Sequence, residues 1–228
     1  MASAERIERE RVEKRVRVLD AARTLFVERG VEAVTLREIA QRIEYSTTAI
    51  YVHFKDKAAL VDAMVSEDFA AFAHSLERCA VIVDAVERIC ALHDAYIEFA
   101  LAWPRHYQLL FLTPPSGVHG KPPTVVEPAG IEGYRVLHAA VAECLRTHRL
   151  HVELTDADAV AQVVWAAVHG LVSLLIVMGS HAAFRWRGRE ALARTQLGLV
   201  LRGILRDPST APSPPRARRR AGKKPRAK

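Results

Sequence analysis

The chain has 228 residues, 50% of them apolar and 26% charged, with a formal net charge of +7. This length allows one or two domains and a sizeable core, and no strand-like alternation is sustained anywhere. Its three cysteines (Cys79, Cys90, Cys144) lack metal or disulfide spacing, and the charged start from Glu5 to Arg17 holds no apolar segment before a cleavage site. Both features point to a reducing cytoplasm and away from secretion.

The first predicted helix covers Arg6–Arg29 and ends at Gly30. Its basic residues (Arg9, Arg11, Lys14, Arg15, Arg17) alternate with glutamates, so most of this stretch reads as a solvated face, with a few side chains able to reach phosphates. Residues 35–54 carry the most information. Thr35 followed by Glu38 forms a capping box, and Leu36, Ile39, Ala40 and Ile43 form the inward stripe of a second helix. Ser46 caps a short third helix that turns Ile50 and Phe54 inward and leaves Thr47, Thr48 and Tyr51 toward solvent. A helix with short hydroxyl side chains and one tyrosine on its outer face suits a DNA major groove, because such side chains allow close approach to base edges and phosphates.

Asp56 caps a fourth helix running to about Cys79, and another covers about Ile82–Ala102. Pro104 opens a short helix to Leu112, and Thr113–Pro128, rich in Pro and Gly, reads as a long loop. Helical patterns resume at about Ala129–His148, Thr155–Ser180 and Gly188–Arg206. Within them, Ala157–Gly179 is almost continuously apolar, and about twenty such residues can span a bilayer. Gln162, His169 and Ser173 inside it, and Asp156 and Asp158 at its start, argue instead for a helix packed on its own domain and on a partner chain. No membrane association is expected.

Charge is distributed unevenly. Residues 1–60 hold 12 basic and 10 acidic side chains, residues 61–207 hold 13 and 16, and residues 208–228 hold 8 and none. The basicity therefore sits in a tail expected to be disordered, which either adds nonspecific phosphate contacts or serves only solubility.

The stretch Leu19–Leu60 resembles the DNA-binding domain of the TetR family of regulators. The resemblance rests on Ala21-Ala22-Arg23-Thr24-Leu25-Phe26-Val27-Glu28-Arg29-Gly30, on Thr35-Leu36-Arg37-Glu38-Ile39-Ala40, and on Ile50-Tyr51-Val52-His53-Phe54-Lys55-Asp56-Lys57. Two positions depart from the pattern: Glu44 stands where the family has the glycine of the turn, and Thr48 where it often has a second one. A narrower resemblance is to the WHG-type C-terminal domain of such regulators, carried by Trp165-Ala166-Ala167-Val168-His169-Gly170, by Tyr96…Phe99-Ala100 with Trp103-Pro104…Tyr107…Leu110-Phe111, and by Tyr134-Arg135…His138.

The resemblance implies an all-α fold of about nine helices, with a three-helix helix-turn-helix domain (1–60), a larger ligand-binding and dimerisation domain (61–206), and the basic tail (207–228). It implies a ligand-responsive repressor, homodimeric through about 155–206, that leaves a palindromic double-stranded operator when a small apolar or aromatic effector binds. Thr47, Thr48 and Tyr51 are the candidates for the groove, with Thr35, His53 and Lys57 on phosphates. His93, Tyr96, Phe99, Tyr134, His138, Trp165 and His169 are candidates for the effector cavity, with Gly170 allowing another helix to approach. For His169 a second reading stands beside this one, a core histidine satisfied by a hydrogen bond. His93-Asp94, His138 and His169 could also converge on zinc or nickel, but they show no ligand spacing within one helix, and neither metal nor cofactor is expected. No nucleophile elbow, phosphate loop or metalloprotease helix occurs, so no enzymatic activity is expected. Two alternatives remain: a nonspecific DNA binder using the tail, and a small-molecule carrier or degenerate enzyme using the pocket.

Overall fold

A computed structural model of the chain describes residues 2–112, 128–207 and 209. The elements in order are α1 (Ala2–Arg29), α2 (Leu36–Arg42), α3 (Thr47–Tyr51), α4 (Lys57–Glu77), a 3-10 turn (Arg78–Val81), α5 (Ala85–Ala102), α6 (Pro104–Tyr107), a π-helical turn (Gln108–Leu112), α7 (Pro128–Arg146), α8 (Ala157–Met178) and α9 (Arg189–Ile204). Among the described residues the only extended pairing is an isolated bridge between Leu150 and Leu205. The fold is all-α, as expected. The loop expected at Thr113–Pro128 lies, apart from Pro128, outside the described residues, and so does nearly all of the basic tail.

Local chemistry sets the helix starts. Thr35 accepts the Glu38 N–H at 3.2 Å, while the Glu38 carboxylate takes the Thr35 N–H at 2.8 Å, completing the capping box. Ser46 accepts the Ala49 N–H at 3.2 Å and Asp56 the Ala59 N–H at 2.7 Å. Each cap satisfies a backbone donor that has no partner inside its helix. Between α2 and α3, Glu44 adopts φ = 59°, the left-handed conformation that glycine takes most easily.

Two buried clusters organise the packing. One gathers Val18, Leu19, Ala22 and Phe26 of α1, Ile39 of α2, Ile50 of α3, Phe54, and Leu60, Val61, Met64 and Phe69 of α4. The other gathers Phe72 and Leu76 of α4 with α5, α7, α8 and the end of α9. Helix α4 therefore serves both clusters along its length, and the expected boundary at residue 60 falls inside it. Leu109, fully buried, comes from the π-helical turn yet belongs to the first cluster.

On α8, Val160, Ala161, Val164, Val168 and Val172 are buried at helical spacing, whereas Val163, Leu174 and Val177 are exposed by 63%, 52% and 59%. One side of this apolar helix thus lacks cover from the described residues of its own chain. At Gly170 a Cβ would meet nothing within 4 Å among the described residues of this chain. The crowded glycine is Gly133 on α7, where a Cβ would come within 2.6 Å of Leu76 Cδ1, so α7 lies close on α4. Burial raises the pKa of the cysteines, to about 12 for Cys90 and about 11 for Cys144, which keeps these thiols protonated.

Candidate functional site

The first candidate site is the outer surface of α2 and α3. Ile50 is fully buried and fixes the rotation of α3. That rotation leaves Tyr51 exposed by 55%, with Thr48 exposed and Thr47 half-buried beside it. Thr35 is exposed, but its hydroxyl is already engaged with the Glu38 carboxylate at 2.8 Å. Hydrogen bonds from Thr35, backbone first and then side chain, together with Arg29, lower the Glu38 pKa to about 2. Lys57 is half-buried and its Nζ lies 3.4 Å from the Glu32 carbonyl. His53 is half-buried, and its pKa is lowered by burial first and then by Arg11, Arg15 and Lys14. These three cations of α1 therefore sit near His53, just past α3, and Arg15, which pairs with Glu67, also lies over the Phe54 ring, 5.4 Å from its centroid. The alternation of charge along α1 hid this local concentration, since only the packing of α1 on the 53–54 turn selects which of its basic residues face α3.

The second candidate site is a cavity of about 250 Å³ between α4, α5, α7, α8 and the π-helical turn. Phe69, Phe72, Phe111, Tyr96, Tyr134 and Trp165 dominate its wall, completed by aliphatic side chains and Gly133. Phe111 meets Phe72 edge-on at 5.4 Å and Phe69 at 5.9 Å, an arrangement aromatic rings favour. Three of the seven expected cavity residues, Tyr96, Tyr134 and Trp165, line it. The other four do not. Phe99 packs behind Phe72 at 5.1 Å. His93 is turned toward α9, its Nε2 lying 2.6 Å from Gln196 Oε1. His138 faces Asp158 at 3.4 Å.

His169, half-buried, stands behind the wall in a polar chain that runs inward from Trp165. The indole N–H of Trp165 donates to the Tyr96 hydroxyl at 3.4 Å. Tyr96 and Tyr107 hydroxyls are 3.1 Å apart, and the Tyr107 hydroxyl lies 2.6 Å from His169 Nδ1. One assignment gives each of the three donors a partner: Trp165 to Tyr96, Tyr96 to Tyr107, and Tyr107 to Nδ1 of a neutral His169, which the Tyr96 hydroxyl also approaches to 3.0 Å. Burial lowers the His169 pKa and raises those of both tyrosines, so each keeps the uncharged form this chain requires. His93, His138 and His169 each have separate partners, and among the described residues no three His, Cys, Asp or Glu side chains gather as a metal site. Tyr107 is the residue sequence reading left out of the site; its place in an aromatic stretch after Pro104 was the available signal.

A third constellation joins the two regions. Asp68 of α4, 1% exposed, accepts from Arg23 of α1 through Nε at 3.0 Å and Nη2 at 2.7 Å, and lies 3.0 Å from His106 Nδ1 of α6. The stretch from His106 to Phe111 therefore touches Asp68, the polar chain through Tyr107, the first core through Leu109 and the cavity through Phe111.

Residues 18–64 match the family described as bacterial regulatory proteins, tetR family, and residues 89–214, more than half of the chain, match the tetracyclin repressor-like C-terminal domain. The chain belongs to the TetR family. Among curated relatives it is 44% identical over 55 residues to the repressor Rv1474c of Mycobacterium tuberculosis, covering 24% of this chain and 29% of that protein. Matches to the first such relatives take in 27% to 47% of their length, so this chain spans less than half of each. Its fold is that of the ketosteroid transcriptional regulator KstR2 of Mycobacterium tuberculosis, with a TM-score of 0.68 and 18% identity over 85% of this chain and 95% of that one. It is also that of FadR from Bacillus subtilis in complex with stearoyl-CoA, with a TM-score of 0.65 and 15% identity over 83% and 98% of the two chains.

Proposed function

We propose that this TetR-family protein is a homodimeric, ligand-responsive transcriptional repressor working in the cytoplasm on a palindromic DNA operator. Residues 1–60 form the DNA-binding part, 61–206 the effector and dimerisation part, and Trp165, His169 and Gly170 mark the latter as WHG-type. The observation that carries the DNA reading is α3 itself: a five-residue helix anchored by buried Ile50, presenting Thr47, Thr48 and Tyr51, with the α1 cations Arg11 and Lys14 near His53 just beyond it. Neutral hydroxyls there read base edges while the neighbouring cations hold phosphates. Thr35, His53 and Lys57 take phosphates at the rim; binding would draw a proton onto His53.

The effector reading rests on the apolar cavity, and FadR, of the same fold, is known with a bound acyl-CoA. An effector that fills the cavity displaces Phe111, and the short stretch back to His106 carries that displacement to Asp68, Arg23 and Leu109. The spacing of the two α3 helices in the dimer then no longer fits successive grooves. The uncovered face of α8, with α9, supports the dimer.

The test is fluorescence anisotropy on DNA from upstream of the protein's own coding sequence against a scrambled control, at several salt concentrations. Preference for the upstream DNA by more than tenfold, lost in Tyr51→Ala, supports the reading. Equal binding of both DNAs that disappears when 208–228 is deleted would overturn it.

A further inference from the structure

Among the described residues the cavity lining includes no charged residue, and its polar side-chain groups are the Tyr96 and Tyr134 hydroxyls and the Trp165 indole N–H. Tyr96 and Trp165 are already committed to the chain that ends on His169. Tyr134 is different. Its hydroxyl oxygen is buried and has no hydrogen-bond partner among the described residues. Buried hydroxyls are almost always paired, and an unpaired one on the wall of a cavity is a group held for something that enters.

The position of Tyr134 is well fixed. Its ring packs against Trp165 at 5.8 Å and His138 at 6.3 Å, and the preceding residue, Gly133, lets α7 lie against Leu76. A phenol is a better donor than acceptor, because its oxygen lone pair is delocalised into the ring. The partner it lacks is therefore an acceptor.

Size and charge restrict the ligand further. An apolar cavity of about 150 Å³ holds benzene, so the 250 Å³ here suits two fused rings or one ring with a short chain. A carboxylate or ammonium would lose its hydration with no countercharge among the described residues of the wall. We propose that the cavity takes an uncharged one- or two-ring compound bearing a carbonyl-type acceptor, and that the Tyr134 hydroxyl donates to that acceptor as the specificity-determining contact. This inference rests on the effector reading given above.

Calorimetry on the full chain without DNA tests it with three probes of one shape. These are 2-acetylnaphthalene, which has the acceptor; 2-ethylnaphthalene, which lacks it; and 2-naphthoate, which is charged. The ketone should bind at least tenfold more tightly than either of the others. Tyr134→Phe should remove the ketone's advantage over 2-ethylnaphthalene and leave the affinity for 2-ethylnaphthalene within about threefold, since only an unpaired hydroxyl is deleted and the fold is retained. A ketone preference that survives Tyr134→Phe, naphthoate binding as well as the ketone, or no binding of any probe would overturn the proposal. Because DNA is absent from this assay, failure on upstream DNA would count against the regulator reading and not against the ligand class, and the converse holds as well.

Discussion

The ion pair between Arg23 and Asp68 gives the sharpest quantitative expectation. Asp68 is 1% exposed and Arg23 6%, and the carboxylate takes hydrogen bonds from both Nε and Nη2 while facing His106. Replacing Asp68 with leucine leaves a guanidinium buried with one remaining carboxylate partner, Asp20, at 2.7 Å and largely in solvent. Breaking a buried pair from one side costs about 3–5 kcal/mol, and the remaining Asp20 contact places this variant near 3. In a chain of this size that lowers the melting temperature by roughly 6–12 °C. The double variant Arg23→Met/Asp68→Leu removes both charges at once and should recover most of the loss, because well-packed apolar groups replace a buried pair at little net cost. Urea unfolding of the wild type, both single variants and the double variant, at one protein concentration, measures the four terms. A cost below about 1 kcal/mol for Asp68→Leu, or a double variant less stable than either single one, would refute the view that desolvation governs this site.

Three further outcomes are expected. Glu44→Gly should leave stability unchanged or raise it by up to about 1 kcal/mol, since the φ of 59° suits glycine, whereas Glu44→Val should lower it by about 1–2 kcal/mol; thermal melts that reverse this order would contradict the turn geometry. His169 is half-buried, and that burial holds its pKa below the ordinary 6.5, so the unfolded chain binds a proton that the folded chain refuses. Its contribution is full above that value and declines as pH falls from about 6.5 through the folded-state pKa, and urea midpoints between pH 7.5 and 5.5 should fall less in His169→Gln than in the wild type. Finally, Leu174→Lys combined with Val177→Glu charges the uncovered face of α8, and sedimentation should show a wild-type dimer and a monomeric variant; a variant that stays dimeric would place the interface elsewhere.

Much of the first candidate site was legible because its signals are local. The capping residues Thr35, Ser46 and Asp56 act within three residues of themselves, and the inward positions Ile39, Ile50 and Phe54 follow helical periodicity. The cavity was harder to read. Tyr96, Tyr134 and Trp165 stood out as aromatics with polar atoms, but Phe69 and Phe72 look like any core stripe on a long helix, and Phe111 is indistinguishable from a packing residue. His93 and His138 attracted attention for their chemistry, yet helix rotation sends them to Gln196 and Asp158.

By itself, then, the sequence determined what depends on short-range physics and on pattern: an all-helical chain, the position and caps of the helix-turn-helix, the exposed hydroxyl face of α3, and an α8 too apolar to be covered by one side of its own domain. Tertiary structure alone decided which side chains meet across distant segments. It set Asp68 between Arg23 and His106, closed Tyr107 onto His169, and brought α7 close on α4 at Gly133. Such meetings depend on the rotation and depth of each helix against several others at once, and no single segment encodes them.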